Sequence, residues 1–158
     1  MTTPDQTDKF RELFSLAGDY KAEGVLMTGL PHSAELGMRV HYSGEGQAIL
    51  SVPWSEAVLG DPEAGILHGG VITALLDTAC GAAVMASKAR LKSTATLDLR
   101  IDYMRPARTG ETVFCRAHCY RLTRSVGFAR ATAFHNDPDD AVASATAAFI
   151  VDRMEPKK

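Results

Sequence analysis

Between Gly69 and Ser87 this 158-residue chain carries one charged side chain, Asp77. Every other residue in the run is apolar, small or hydroxyl-bearing, and the run is entered through His68-Gly69-Gly70. A helix that is apolar all round belongs in an interior, wrapped by another layer. The rest of the chain must therefore supply a surface broad enough to cover it. A carboxylate inside such a helix is costly unless it is paired, hydrogen-bonded or used. Asp77 also interrupts the longest apolar run, so no segment reaches membrane-spanning length.

The flanking sequence supplies a sheet. Glu35–Ser43 alternates, with Leu36, Met38, Val40 and Tyr42 opposite Glu35, Arg39 and His41. The turn Ser43-Gly44-Glu45-Gly46 joins it to Gln47–Val52 as a hairpin. The loop Gly60-Asp61-Pro62-Glu63-Ala64-Gly65 leads into His68. After the helix, Thr94–Met104 alternates with Leu97, Leu99, Ile101 and Tyr103 on one face. Glu111–Leu122 places Val113, Cys115, Ala117 and Cys119 on one side. Ser125–Asn136 and the alanine-rich Ala141–Val151 follow, separated by Asp137-Pro138-Asp139-Asp140, a strong turn signal. The fold expected is α+β, an antiparallel sheet wrapped around one long central helix.

Around this domain, residues 23–152, two terminal pieces are expected. Residues 1–22 hold an amphipathic helix over Asp5–Tyr20, with Phe10, Leu13, Phe14 and Ala17 at helical spacing, and 153–158 form a polar tail. Val25–Gly29 and Pro31 read as an irregular link or short strand. A net charge of −2 gives no pull toward nucleic acid or an anionic membrane. The start Met1-Thr2-Thr3-Pro4-Asp5-Gln6 shows no signal peptide. Cys80, Cys115 and Cys119 lack metal-ligand spacing. The last two, four residues apart on a strand, lie about 13 Å apart, too far for a disulfide. All three are expected as buried thiols in a reducing cytoplasm.

The helix entry has chemistry of its own. A helix N-terminus presents N–H groups without internal partners and a partial positive charge. Glycines there let a ligand approach the backbone, and a polarised carbonyl is a natural guest. Asp77 is a candidate nucleophile or general base. Gly69 and Asp77 are eight residues apart, about 12 Å along a helix. One helix cannot both hold a carbonyl at Gly69 and attack it with its own Asp77. Two antiparallel copies related by a two-fold axis can. The plainer reading, a tight loop-to-helix turn and an Asp77 bonded to a backbone amide, stands beside it.

Several motifs resemble the hotdog-fold acyl-CoA thioesterases, in particular the phenylacetic-acid-degradation (PaaI-type) branch. They are His68-Gly69-Gly70, Leu75-Leu76-Asp77, Thr96-Leu97-Asp98-Leu99, Tyr103-Met104-Arg105-Pro106-Ala107 and Gly110-Glu111. The similarity runs from about Leu36 to Val151. It implies that Gly69, with Gly70 beside it, donates backbone N–H to the thioester carbonyl and that His68 orients that carbonyl or the loop. Asp77 of the partner subunit serves as nucleophile or as base for a water, and Thr96 positions that water or the carboxylate. It places coenzyme A along Arg105-Pro106-Ala107-Arg108 and Ser125-Val126-Gly127, with Arg108 and Arg124 at its phosphates. It implies a homodimer sharing one sheet, doubled to a homotetramer, and no cofactor beyond the coenzyme A of the substrate. Several relatives carry an Asn a few residues before His-Gly-Gly; here Asp61-Pro62-Glu63-Ala64-Gly65 has none, so Asp61 or Glu63 substitutes, the water is held otherwise, or turnover is weak.

The function expected is therefore hydrolysis of an aryl- or medium-chain acyl-CoA, with no nucleic-acid or membrane partner. A non-catalytic acyl-CoA binder of the same fold is the alternative. Dehydratase or hydratase chemistry ranks lower because no His follows Asp77 on the helix. The scattered His32, His41, His118 and His135 are expected to be structural.

Overall fold

The computed structural model describes residues 25–26 and 29–154. The helix expected over Asp5–Tyr20 and the last four residues of the tail lie outside them. The long helix, α2, runs Gly69–Met85 and follows a short α1, Pro31–Glu35. The main strands are β1 (Val25–Leu26), β2 (Arg39–Gly44), β3 (Gln47–Val52), β6 (Leu91–Tyr103), β7 (Val113–Leu122), β8 (Val126–Phe134) and β9 (Ala141–Arg153). They pair antiparallel in the order β1-β2-β3-β7-β8-β9-β6. α2 lies against β3, β6, β7, β8 and β9. This is the expected α+β arrangement, an antiparallel sheet around one long helix.

The inward rows are made of small and β-branched residues. Val113, Cys115 and Ala117 of β7, Ala129, Ala131 and Ala133 of β8, and Ala143, Ala145 and Ala147 of β9 are all buried. Opposite them α2 buries Val71, Ile72, Leu75, Leu76, Ala79, Cys80, Ala83 and Val84. The alanines bring helix and sheet close. At Gly127 the gap vanishes, because a Cβ there would lie 2.7 Å from Val84 Cγ1. Gly127 is thus required by helix packing.

The structure corrects several expectations. α2 is not buried all round within one chain. A stripe of Thr73, Ala74, Asp77, Thr78, Gly81 and Ala82 is only half-buried, and Gly69, Gly70 and Met85 are exposed. The first long strand begins at Arg39, not Glu35. Pro31 sets the φ that opens α1, and Gly37, at φ +65°, ends that segment with a backbone only glycine adopts cheaply. A bulge between Val40 and Tyr42 then breaks the alternation. His41 consequently turns inward, 2.7 Å from the Ser51 hydroxyl. The loop before His68 holds a small ribbon, β4 (Leu59–Asp61) with β5 (Ile66–Leu67). Cys119 is half-buried rather than buried.

β6 departs furthest. It starts at Leu91, bulges between Thr96 and Asp98, and bonds along one edge to β9. Among the described residues nothing pairs its other edge. Of its apolar row, Leu99 and Ile101 pack on the core, whereas Leu97 and Tyr103 are 58% and 53% exposed.

Candidate active site

The loop-to-helix entry is built on His68. Its backbone is extended and its N–H is given to Val58 O, 2.9 Å away, so the short helical turn Glu56–Val58 just before β4 props the entry. Its imidazole folds back as the helix cap, Nδ1 accepting the Gly70 N–H at 2.9 Å. Gly70 has to be glycine for this, since a Cβ would sit 2.8 Å from Nδ1. With the Gly70 N–H committed, the Gly69 N–H is the exposed donor, and none of the hydrogen bonds among the described residues uses it. The Gly69 carbonyl is occupied. The Tyr103 hydroxyl donates to it at 2.9 Å, Thr73 Oγ1 lies 3.2 Å away, and the two hydroxyls are 2.7 Å apart.

Two turns along the helix, Asp77 meets Thr96. The Thr96 hydroxyl donates to Asp77 Oδ1 at 2.8 Å, which fixes the carboxylate, and none of the hydrogen bonds among the described residues uses Oδ2. Asp77 is therefore held by a side chain of β6, not by a backbone amide. A cleft of about 460 Å³ runs past this pair to Leu30, Met85 and Phe149. Cys80, one turn on, is no competing nucleophile. Burial, with the Asp77 charge and Cys119 behind it, pushes its thiol up to about 12, so it stays protonated near neutrality.

A second cleft, of about 390 Å³, opens at the helix entry between Gly69, Ile72, Tyr103, Met104 and Pro106. Two residues along its rim already have protein partners. Arg105 is not a free cation: Nε donates to Asp140 Oδ1 at 2.9 Å, and Nη2 to Oδ2 and to the Asp140 carbonyl, both at 2.8 Å. Its fork ties this turn to the β8–β9 turn. Ala107 is no surface contact either, being 4% exposed with its carbonyl taken by the Leu67 N–H. Pro106 and Arg108 remain at the surface, Arg108 within 3.4 Å of Glu111. The Arg108 N–H is taken by His135 Nε2 at 3.2 Å, so the His135 proton sits on Nδ1, facing Thr112 O at 3.0 Å.

Arg124, Ser125, Val126 and Gly127 lie at the other end of β8, a nine-residue strand that spans about 30 Å. Arg124 and Ser125 are exposed, and their carbonyls accept from Arg153 Nε and the Val151 N–H. Gly127 is buried under Val84. One chain thus assembles two separate clusters. It brings Asp77 to Thr96, and Gly69 to His68, Gly70 and the Arg105–Arg108 turn. It does not bring Gly69 to Asp77, or Arg108 to Arg124. Asp61, a candidate for the missing Asn, spends Oδ1 on the Glu63 and Ala64 N–H groups of its own loop. Sequence reasoning missed Tyr103, Thr73 and His135 as parts of the helix-entry cluster. The Tyr103-Met104-Arg105-Pro106 motif carried a signal for Tyr103, since alternation aims it toward the helix. Among the described residues no group of three His, Cys, Asp or Glu is placed to hold a metal ion.

Comparison with known proteins bears on this arrangement. A family model described as the thioesterase superfamily matches residues 64–142. The medium/long-chain acyl-CoA thioesterase YigI of Escherichia coli K12 is 33% identical over 135 residues, covering 77% of this chain and 86% of YigI. A crystal structure from Pseudomonas aeruginosa superposes with a TM-score of 0.71 at 41% identity, covering 81% of this chain and 93% of that one. A variant of the phenylacetic acid degradation protein PaaI from Thermus thermophilus gives a TM-score of 0.67 at 27% identity, covering 79% and 100%.

Proposed function

The chain belongs to the thioesterase superfamily, hotdog-fold thioester hydrolases, and we propose that it hydrolyses an aryl- or medium-chain acyl-CoA at a site shared between two copies of itself. The observation that carries the shared site is spacing. The unused Gly69 N–H and the Thr96-held Asp77 carboxylate lie on the same open stripe of α2, about 12 Å apart. A second copy laid antiparallel on that stripe sets Gly69 of one against Asp77 of the partner subunit. The stripe's small residues permit close approach, and the unpaired edge of β6 allows the sheet to continue across the axis.

In that arrangement the Gly69 N–H receives the thioester oxygen as it gains charge. Asp77 either attacks the carbonyl carbon or takes a proton from the water that does. Thr96 holds Oδ1 so that Oδ2 acts. The tetrahedral intermediate collapses with release of the coenzyme A thiolate; where Asp77 itself attacks, this leaves an Asp77–acyl anhydride that water then hydrolyses. The acyl group lies in the cleft lined by Leu30, Met85 and Phe149, whose apolar, adaptable walls suit a chain or a ring. YigI acts on medium- and long-chain acyl-CoA by name, which favours the chain. In the shared site, Arg108 of one copy and Arg124 of the other would supply cations for the phosphates. A further doubling to a dimer of dimers, and action in the reducing cytoplasm where three free thiols persist, complete the proposal.

A binder that does not turn its ligand over is favoured by one observation: Asp61, one of the two carboxylates that could stand in for the Asn of relatives, is tied into its own turn. One assay separates the two. Thiol release from aryl-acetyl, aryl and medium-chain acyl-CoA is followed for the wild type and Asp77→Asn. Hydrolysis by the wild type alone supports the proposal. Tight binding with no thiol released from any member rejects it in favour of the binder, and an active, stable monomer in sedimentation rejects the shared site.

A further inference from the structure

We infer that Tyr103, relayed by Thr73, is a positioning residue that makes the Gly69-Gly70 turn rigid enough to act as an oxyanion donor; this rests on the thioesterase reading above. Adjacent glycines have the widest backbone freedom of any dipeptide. An oxyanion donor must be held to within about 0.5 Å of its working place. The two requirements conflict at Gly69 unless something outside the dipeptide fixes it.

The Gly69–Gly70 peptide is fixed at both ends. At its nitrogen, the Gly70 N–H is given to His68 Nδ1 at 2.9 Å. At its oxygen, the Tyr103 hydroxyl donates at 2.9 Å, and Thr73 Oγ1 lies within donating distance of the same oxygen, at 3.2 Å, and 2.7 Å from the Tyr103 hydroxyl. With the Thr73 proton on Tyr103 and the Tyr103 proton on Gly69 O, each hydroxyl proton is used once, and such chains reinforce one another. What remains of the turn is the Gly69 N–H, on the neighbouring His68–Gly69 peptide, whose oxygen accepts the Val71 N–H at 3.0 Å. The ring of Tyr103 also stands 3.7 to 3.8 Å from where a Gly69 Cβ would be, so it walls the cleft in which the carbonyl must lie.

Tyr103 is 53% exposed and reaches α2 from the end of β6, so its hydroxyl does little for core stability. The same strand carries Thr96, which holds Asp77. β6 therefore positions both half-sites of one chain, each through a hydroxyl on a helix group.

The test is steady-state hydrolysis by the full-length protein with an acyl-CoA that the wild type turns over. Tyr103→Phe keeps the ring and removes the donor. The expected result is a kcat lower by about tenfold with KM within about twofold and an unchanged melting temperature. Thr73→Val is expected to lower kcat, Thr73→Ser to restore it, and Tyr103→Phe with Thr73→Val to cost less than the product of the single losses. Full kcat in Tyr103→Phe overturns the inference, as does a loss matched by a drop in melting temperature with no change in kcat per folded enzyme. Asp77→Asn, run alongside, reports on the thioesterase reading: its inactivity with an unaffected Tyr103→Phe removes only the role of Tyr103.

Discussion

Gly127→Ala separates two reasons for the glycine at the start of β8. If the residue serves coenzyme A, the added methyl obstructs a ligand. If it serves helix packing, the methyl meets Val84. The structure gives the second reason a magnitude. The new Cβ would lie 2.7 Å from Val84 Cγ1, 3.1 Å from Cγ2 and 3.3 Å from Leu122 Cδ1. Ordinary contacts begin near 3.4 Å, and Val84 is fully buried, so helix and sheet must part by some tenths of an ångström. Overpacking of this kind costs about 1–3 kcal/mol. The intrinsic preference for Ala over Gly in a strand returns about 0.5–1 kcal/mol. A net loss of about 1–2 kcal/mol lowers the melting temperature of a domain this size by roughly 2–8 °C. Val84→Ala removes both offending carbons, so the double variant is more stable than the two single losses sum to. The assay is thermal or urea unfolding of the four proteins, with hydrolysis kinetics beside it. A Gly127→Ala protein of wild-type stability and raised KM would falsify the packing argument and return Gly127 to the ligand.

Three further outcomes are expected. Gly70→Ala drives a methyl to 2.8 Å from His68 Nδ1, displaces the cap at about 1 kcal/mol, and lowers both melting temperature and kcat. Burial, reinforced by the Arg39 charge, holds His41 below its ordinary 6.5. The unfolded chain then binds the proton more readily, so this contribution is complete above about pH 6.5 and shrinks as pH falls; pH-dependent melting shows the slope, and His41→Gln flattens it. In native protein an aromatic disulfide reagent titrates only the half-buried Cys119 readily, while Cys80 and Cys115 wait for unfolding because burial raises both and shields them; rapid reaction of all three would refute this.

The sequence made some of this legible for physical reasons. Rows such as Val113-Cys115-Ala117 and Ala129-Ala131-Ala133 keep period two without interruption, so strand and inward face followed together. α2 was bounded by His68-Gly69-Gly70 and by the small basic stretch after Met85. The separation of Gly69 from Asp77 needed only the helical rise. What stayed hidden was non-local or out of period. Arg105 finds Asp140 thirty-five residues away, and no local pattern announces it. The Val40–Tyr42 bulge turned His41 inward against its own alternation. Tyr103 looked like one more apolar residue of β6, because the value of its hydroxyl depends on where Gly69 O lies.

The sheet order has a consequence for synthesis. β6 begins at Leu91, but β9, which pairs with it, begins at Ala141, so about 50 residues must follow before pairing starts. At ribosomal rates of about 5–20 residues per second, the wait is roughly 2–10 s. Until β7, β8 and β9 emerge in turn, α2 lacks the strands that cover it, and β6 is open along both edges. The nascent chain presents an apolar helix and a bare strand together, the kind of surface chaperones meet. The same strand whose hydroxyls hold Asp77 and Gly69 O in the finished protein is thus the segment most in need of shelter while the protein is being made.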